Sequence, residues 1–137
     1  MRTITGRALV AGEATGKALV LDEPLSFWGG LDPATGLLID PHHPQRGVTV
    51  TGRVLVMPSG RGSSSSSSVL AEAIRLRTAP AAIVLAEPDQ IVALGAIVAR
   101  ELYSKTLPVL TIEPDACAAI EDGMVLRIVG PTITELP

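Results

Sequence analysis

Apolar positions change rhythm about halfway along the chain. Up to Met57 they come in short runs, broken by glycine, proline and polar residues. Arg7 to Val10 and Lys17 to Leu21 read as strands, with a turn around Gly12 to Gly16 between them. Gly36 to Asp40 reads as another strand, stopped by Pro41-His42-His43-Pro44. The β-branched stretch Val48 to Met57 holds one or two more. Beyond it the pattern alternates between helical and strand periods. Val69 to Arg77 carries Leu70, Ala73 and Ile74 at helical spacing, and Ala82 to Ala86 is a short strand of the buried kind. Pro88-Asp89-Gln90 opens a helix running through Tyr103, Pro108 to Ile112 is a strand, and Asp115 to Ile120 is a short helix. Asp122-Gly123 then turns the chain into a last strand, Met124 to Val129. Strand–helix–strand–helix–strand at this spacing implies parallel pairing with helical crossovers. The predicted class is α/β, one domain over residues 1–137, with a β-rich layer beside parallel strand–helix units.

Composition narrows this picture. A chain of 137 residues suits one domain, and 47% apolar content is enough for a continuous core. Only 2% is aromatic, so that core is built from Val, Leu, Ile and Ala. Base stacking needs aromatic platforms, and a net charge of −3 gives no basic field, which excludes nucleic acid as a partner. Cys117 is the single cysteine, so no internal disulfide forms and no cysteine cluster can hold zinc or an iron–sulfur centre. The first residues lack the apolar stretch of a signal peptide. The longest apolar run, Ile91 to Ala99, is about half a membrane span. The expectation is a soluble cytoplasmic protein with no membrane partner.

One segment carries candidate chemistry: Pro58-Ser59-Gly60-Arg61-Gly62-Ser63, followed by five further serines to Ser68. It lies between a predicted strand and a predicted helix. Its glycines permit a tight turn and close ligand approach. Serines at a helix N-terminus meet free N–H groups and the positive end of the dipole, where an anion is favoured. Arg61 adds a cation able to grip a carboxylate in two-pronged fashion. Six serines in a row also look like a linker or a run of caps, and composition alone leaves the two readings level. Position favours the turn, since neither flank is long enough to stand alone easily. No lysine follows the second glycine and no third glycine is present, so neither a P-loop nor a dinucleotide fingerprint fits.

At this turn the sequence resembles the small-subunit, or swivel, part of the aconitase X family. The resemblance runs along nearly the whole chain. It rests on Gly12 to Gly16, the loop Pro24 to Asp32, Gly36 with Asp40, His43-Pro44, Gly52, Pro58 to Ser64, and Ala79 to Ile83. It implies a swivelling β/β/α domain, binding no cofactor itself, that closes over a large subunit holding an iron–sulfur cluster. It implies elimination of water from a small hydroxy acid, with Ser63 as general base. Arg61, Gly62, Ser64, Ser26 and Gly30 are the substrate-binding candidates. Cis-3-hydroxy-L-proline is the preferred substrate and mevalonate 5-phosphate the alternative. The turn departs from ordinary aconitase, whose arginine follows its serines. Here Arg61 precedes them.

Other groups are weaker candidates. His42 and His43 near Asp40 lack ligand spacing and suit loop packing better than metal binding. The loop Ser26 to Asp32, with the only Phe and Trp, fits either a substrate-facing lip or a subunit interface. Cys117 fits a small buried residue, Glu87 and Asp89 a helix start, and Glu72 with Arg75 a solvated helix face. Two other classes compete. A phosphocarrier swivel domain needs a histidine in the glycine-rich turn, and residues 58–68 contain none. A non-catalytic swivel binding module predicts that Ser63 is dispensable.

Overall fold

The computed structural model describes residues 2–137. In chain order its elements are β1 (Thr3–Thr5), β2 (Arg7–Val10), β3 (Glu13–Val20), α1 (Phe27–Gly30), β4 (Leu31–Asp32) and β5 (Leu37–Leu38). There follow β6 (Val54–Met57), α2 (Ser66–Arg75), β7 (Ala82–Leu85), α3 (Gln90–Tyr103), β8 (Val109–Thr111), α4 (Pro114–Ala118), β9 (Val125–Val129) and β10 (Thr132–Glu135). Eight strands form one mixed sheet in the order β1-β10-β9-β3-β6-β7-β8-β2, and β4 with β5 forms a separate small hairpin. Pairing of β3, β6, β7 and β8 is parallel, and every other pairing is antiparallel.

The α/β class and the strand–helix units of the second half agree with the pattern. The centre of the sheet shows why that half was readable. All four residues of β6 and of β7 are buried, as expected for parallel strands covered on both faces. Leu55, Met57, Ile83, Leu85 and Val109 pack under α2 and α3. Val54, Val56, Ala82, Val84 and Leu110 face a second cluster with Cys117 of α4 and Leu126, Ile128 and Ile133 of β9 and β10. Complete burial of one such leucine or isoleucine is worth about 1.5–3 kcal/mol, so both faces hold the sheet together.

The first half required several corrections. The turn assigned to Gly12–Gly16 shrinks to Ala11-Gly12, and Gly16 lies inside β3 beside the Gly52 carbonyl. Of Val48 to Met57 only Val54–Met57 is a strand; Thr49 makes one isolated bridge to Leu37, and residues 51–53 turn. The strand at Gly36 to Asp40 is reduced to the two residues of β5. Helix α2 starts three residues earlier than the apolar periodicity indicates and ends at Arg75, while α4 ends at Ala118. Strands β1 and β10 were not foreseen. They are short and half-polar; β1 pairs with β10, which pairs in turn with β9.

The two edge strands, β1 and β2, explain the shape. β1 and β2 stand at opposite ends of the sheet order, yet only Gly6 separates them. Seven inter-strand steps in a flat sheet would span about 34 Å, whereas Thr5 and Arg7 are at most about 7 Å apart. The sheet therefore rolls until its two ends meet at Gly6, whose N–H donates to the Pro131 carbonyl at 2.8 Å. The C-terminal ends of β3, β6, β7 and β8 share one rim. No helix among the described residues is long and apolar enough to cross a membrane.

Candidate active site

Three of the loops leaving that rim converge. The chain after β3 runs beside the chain after β6, joined by a parallel bridge between Leu25 and Gly60. The loop after β7 brings Asp89 against Gly60, so closely that a Cβ there would overlap the carboxylate. Asp89 is thereby a structural group: its Oδ1 accepts from the N–H groups of Ile91 and Val92 at 2.9 and 3.0 Å and caps α3. Gly62 has φ +89°, in the left-handed region where a side chain is strained, and packs against Ser26. Both glycines of the turn are thus demanded by geometry.

Ser63 follows, half-buried, at the entrance to α2. Its Oγ accepts from the Ser65 N–H at 3.1 Å, and its carbonyl accepts from the Ser66 N–H at 3.0 Å. The N–H groups of Gly62, Ser63 and Ser64 bond to no described residue and remain available to an anion. A hydrogen bond donated to a hydroxyl oxygen favours its alkoxide, as does the positive end of the helix. The turn therefore stabilises negative charge at the Ser63 Oγ and beside it. Arg61 is exposed and makes no hydrogen bond or ion pair with any described residue, so its guanidinium is free. Ser64 is exposed beside it.

Ser26, predicted to bind substrate, lies under Gly62 but has its hydroxyl engaged, donating to the Trp28 carbonyl at 3.0 Å and lying 3.3 Å from the Ser66 Oγ. Gly30 is not brought to the turn. It is buried against Leu25 and Asp40, and its carbonyl accepts from the Ile39 N–H at 2.9 Å. The loop Ser26 to Asp32 contains a single irregular helical turn, with Trp28 at ψ 118° and Gly29 at φ 78°. Phe27 is buried, whereas Trp28 is 58% exposed.

The sequence reading missed Ser66. It is only 4% exposed, and its Oγ accepts from the Trp28 N–H at 3.2 Å. A signal was present: Ser66 stands four, seven and eight residues before Leu70, Ala73 and Ile74, on the same buried helix face.

His43, in contrast, is a staple. Its Nδ1 accepts from the Gln45 N–H at 3.1 Å, so Nε2 carries the proton and donates to the Glu23 carbonyl at 3.0 Å. His42 is exposed. Among the described residues no group of three or more His, Cys, Asp or Glu could hold a metal ion. Burial pushes the Cys117 thiol up from its ordinary value. Glu72 and Arg75 pair on the surface of α2; the hydrogen bond lowers the carboxyl and raises the guanidinium.

The crevice beneath the turn, lined by Leu25, Phe27, Gly62, Ser63, Ser66 and Asp89, holds only about 10 Å³. A small-molecule pocket needs roughly 300 Å³ or more. A hollow of about 250 Å³ opens beyond Pro58, but its walls are apolar apart from Cys117. Arg61 lines the crevice with Ser63, and neither is enclosed in a cavity of substrate size.

An α/β domain with a rolled sheet and an anion-stabilising serine turn on its carboxyl rim is what the geometry defines. The chain matches the family model for the aconitase X swivel domain over residues 3–135, and it belongs to that family. It is 55% identical over 106 residues to the cis-3-hydroxy-L-proline dehydratase of Pseudomonas aeruginosa, an alignment covering 77% of this chain and 18% of that protein. It is 43% identical over 127 residues to the phosphomevalonate dehydratase small subunit of Pyrococcus furiosus, covering 93% and 89% of the two. The crystal structure of Thermococcus kodakaraensis aconitase X in its holo form superposes with a TM-score of 0.89 at 32% identity, over 100% of both chains. The chain spans 18% of the length of the cis-3-hydroxy-L-proline dehydratases it matches.

Proposed function

We propose that this chain is the swivel part of an aconitase X-type hydro-lyase that eliminates water from a small hydroxy acid, with Ser63 as general base. The observation that carries the reading is the Ser63 turn: free N–H groups, an unpaired arginine and a hydroxyl that accepts a backbone hydrogen bond, all above a crevice too small for a substrate. Such a turn is half a site. A larger partner closing on it would complete the cavity, exclude water and strengthen every electrostatic contact within.

In the closed state Arg61 grips the substrate carboxylate and the amides of Gly62 to Ser64 orient it. Ser63 Oγ, as the alkoxide, takes the proton from the carbon beside the carboxylate. The electron pair left by that C–H bond forms the new C=C bond as the hydroxyl on the adjacent carbon departs. Ser63 ends protonated and is reset by loss of that proton. This chain has no ligand set for an iron–sulfur centre, having one buried cysteine. The reading assigns that centre to the larger partner, where its Lewis acidity would assist loss of hydroxide.

Cis-3-hydroxy-L-proline is the substrate this reading favours, supported by the 55% identity to a dehydratase named for it. The second reading, mevalonate 5-phosphate, is supported by small-subunit relatives of nearly this chain's length. Co-expression with a cysteine-bearing aconitase-like partner tests both. The expected outcome is a stable complex that dehydrates cis-3-hydroxy-L-proline faster than mevalonate 5-phosphate. A complex that dehydrates neither sinks the reading, and one that prefers the phosphate reverses the choice.

A further inference from the structure

The turn and the Trp28 loop are joined by hydroxyls whose protons can be counted. The Trp28 N–H donates to the Ser66 Oγ, and the Ser26 Oγ donates to the Trp28 carbonyl. That second bond uses Ser26's only hydroxyl proton, so the contact between the two hydroxyls runs from Ser66 to Ser26. Each hydroxyl donates once and accepts once. Three hydrogen bonds close a ring that begins and ends on the peptide groups of Trp28, and bonds in such a chain polarise one another.

Both serines of this ring neighbour Ser63. Ser66 donates its N–H to the Ser63 carbonyl at 3.0 Å. Ser26 lies beneath the preceding residue: a Cβ added at Gly62 would stand 3.1 Å from its Oγ. Ser26 and Ser63 come from loops that follow different strands, so the ring is a side-chain tie between those loops beside the backbone bridge of Leu25 and Gly60.

We propose that this ring makes Ser26 and Ser66 positioning residues for Ser63, locking the serine turn to the Trp28 loop. The kinetic consequence rests on the reading of Ser63 as the base; the lock itself does not. Two measurements separate them. In amide NMR spectra of the full chain, Ser26→Ala should shift and broaden the resonances of Gly62, Ser63 and Ser64, far away in sequence. Changes confined to residues 24–30 would overturn the lock. In the assembled enzyme, Ser26→Ala, Ser66→Ala and the double variant should each lose about 10²-fold in kcat with KM changed less than about threefold, as misplacement of a catalytic group does. The double variant should be no worse than either single one, because a single cut opens the ring. Multiplying losses, or a loss confined to KM, would overturn the proposal. Should Ser66→Ala fail to fold, the more accessible Ser26→Ala carries both measurements. If the wild-type complex dehydrates neither substrate, the functional reading falls and the amide result alone decides the lock.

Discussion

The loop of residues 41–47 and the turn of residues 58–66 look alike as sequence and differ in how their polar groups are used. Each mixes proline and glycine with groups capable of chemistry. In the first, His43 donates to Glu23 and accepts from Gln45, while Gln45 donates to the Val20 carbonyl and accepts from the Asp22 N–H. Every amide of this loop is bonded, and what is left over is the exposed side chains of His42 and Arg46 with no free N–H beside them. In the second, the Ser66 hydroxyl is bonded to Ser26 and Trp28 of the neighbouring loop, while Arg61 and three consecutive amides stay free. A polar residue type says little about function; its unspent valence says more.

Substitutions at the two loops should separate activity from stability. The largest effect belongs to Ser63→Ala. The assembled enzyme should lose about 10³-fold in kcat, within the range for loss of a general base, while co-purification with the partner is unchanged. Retained activity would return the turn to the same structural category as the histidine loop. Next, His43→Ala should lower stability by about 2–3 kcal/mol, since the Glu23 carbonyl and Gln45 N–H lose partners in a partly buried place. Denaturant midpoints measure this, and kcat of the folded fraction should hold. A His43 variant that stays folded and inactive would break the comparison.

A smaller effect is expected for Arg61→Gln: KM raised about tenfold with kcat nearly constant, the scale of one charge-assisted contact. Steady-state kinetics on the complex read this split, and an unchanged KM would leave Arg61 a shaper of the turn. The smallest effect concerns Cys117, a reactive type made inert by placement. Burial keeps the proton on the native thiol at pH values where the unfolded chain releases it. Native thiol titration should therefore be slow at pH 8 and fast in denaturant. By the same linkage, stability falls slightly as pH rises through the ordinary thiol range. Rapid native reaction at pH 8 would show the α4 face to be open.

How much of this was legible followed from where periodicity survives. β6, β7 and α3 announce themselves because burial on both faces or one stripe fixes their composition. The family resemblance and the glycines of residues 60–62 pointed to the turn before any geometry was known. Ser66 was hidden by its five serine neighbours, although the helix face of Leu70 and Ile74 extends back to it. Gly16 and Gly30 misled for one reason. Glycine marks a close approach as readily as a turn or a ligand, and both lie packed against neighbouring chain or side chain. β1 and β10 left no signal, since their register is set by each other and by β9, which no local window contains.

The rolled sheet bears on how this domain meets other chains. A row of unpaired backbone groups along a sheet margin invites a foreign strand, whether as a binding mode or as the start of aggregation. Here both margins are drawn together at Gly6, and the edge strands β1 and β2 are only three and four residues long. An incoming strand therefore finds only these short ladders to pair with. The loops of the carboxyl rim, which carry Arg61, Ser63 and the exposed Trp28, offer the broader surface to another chain.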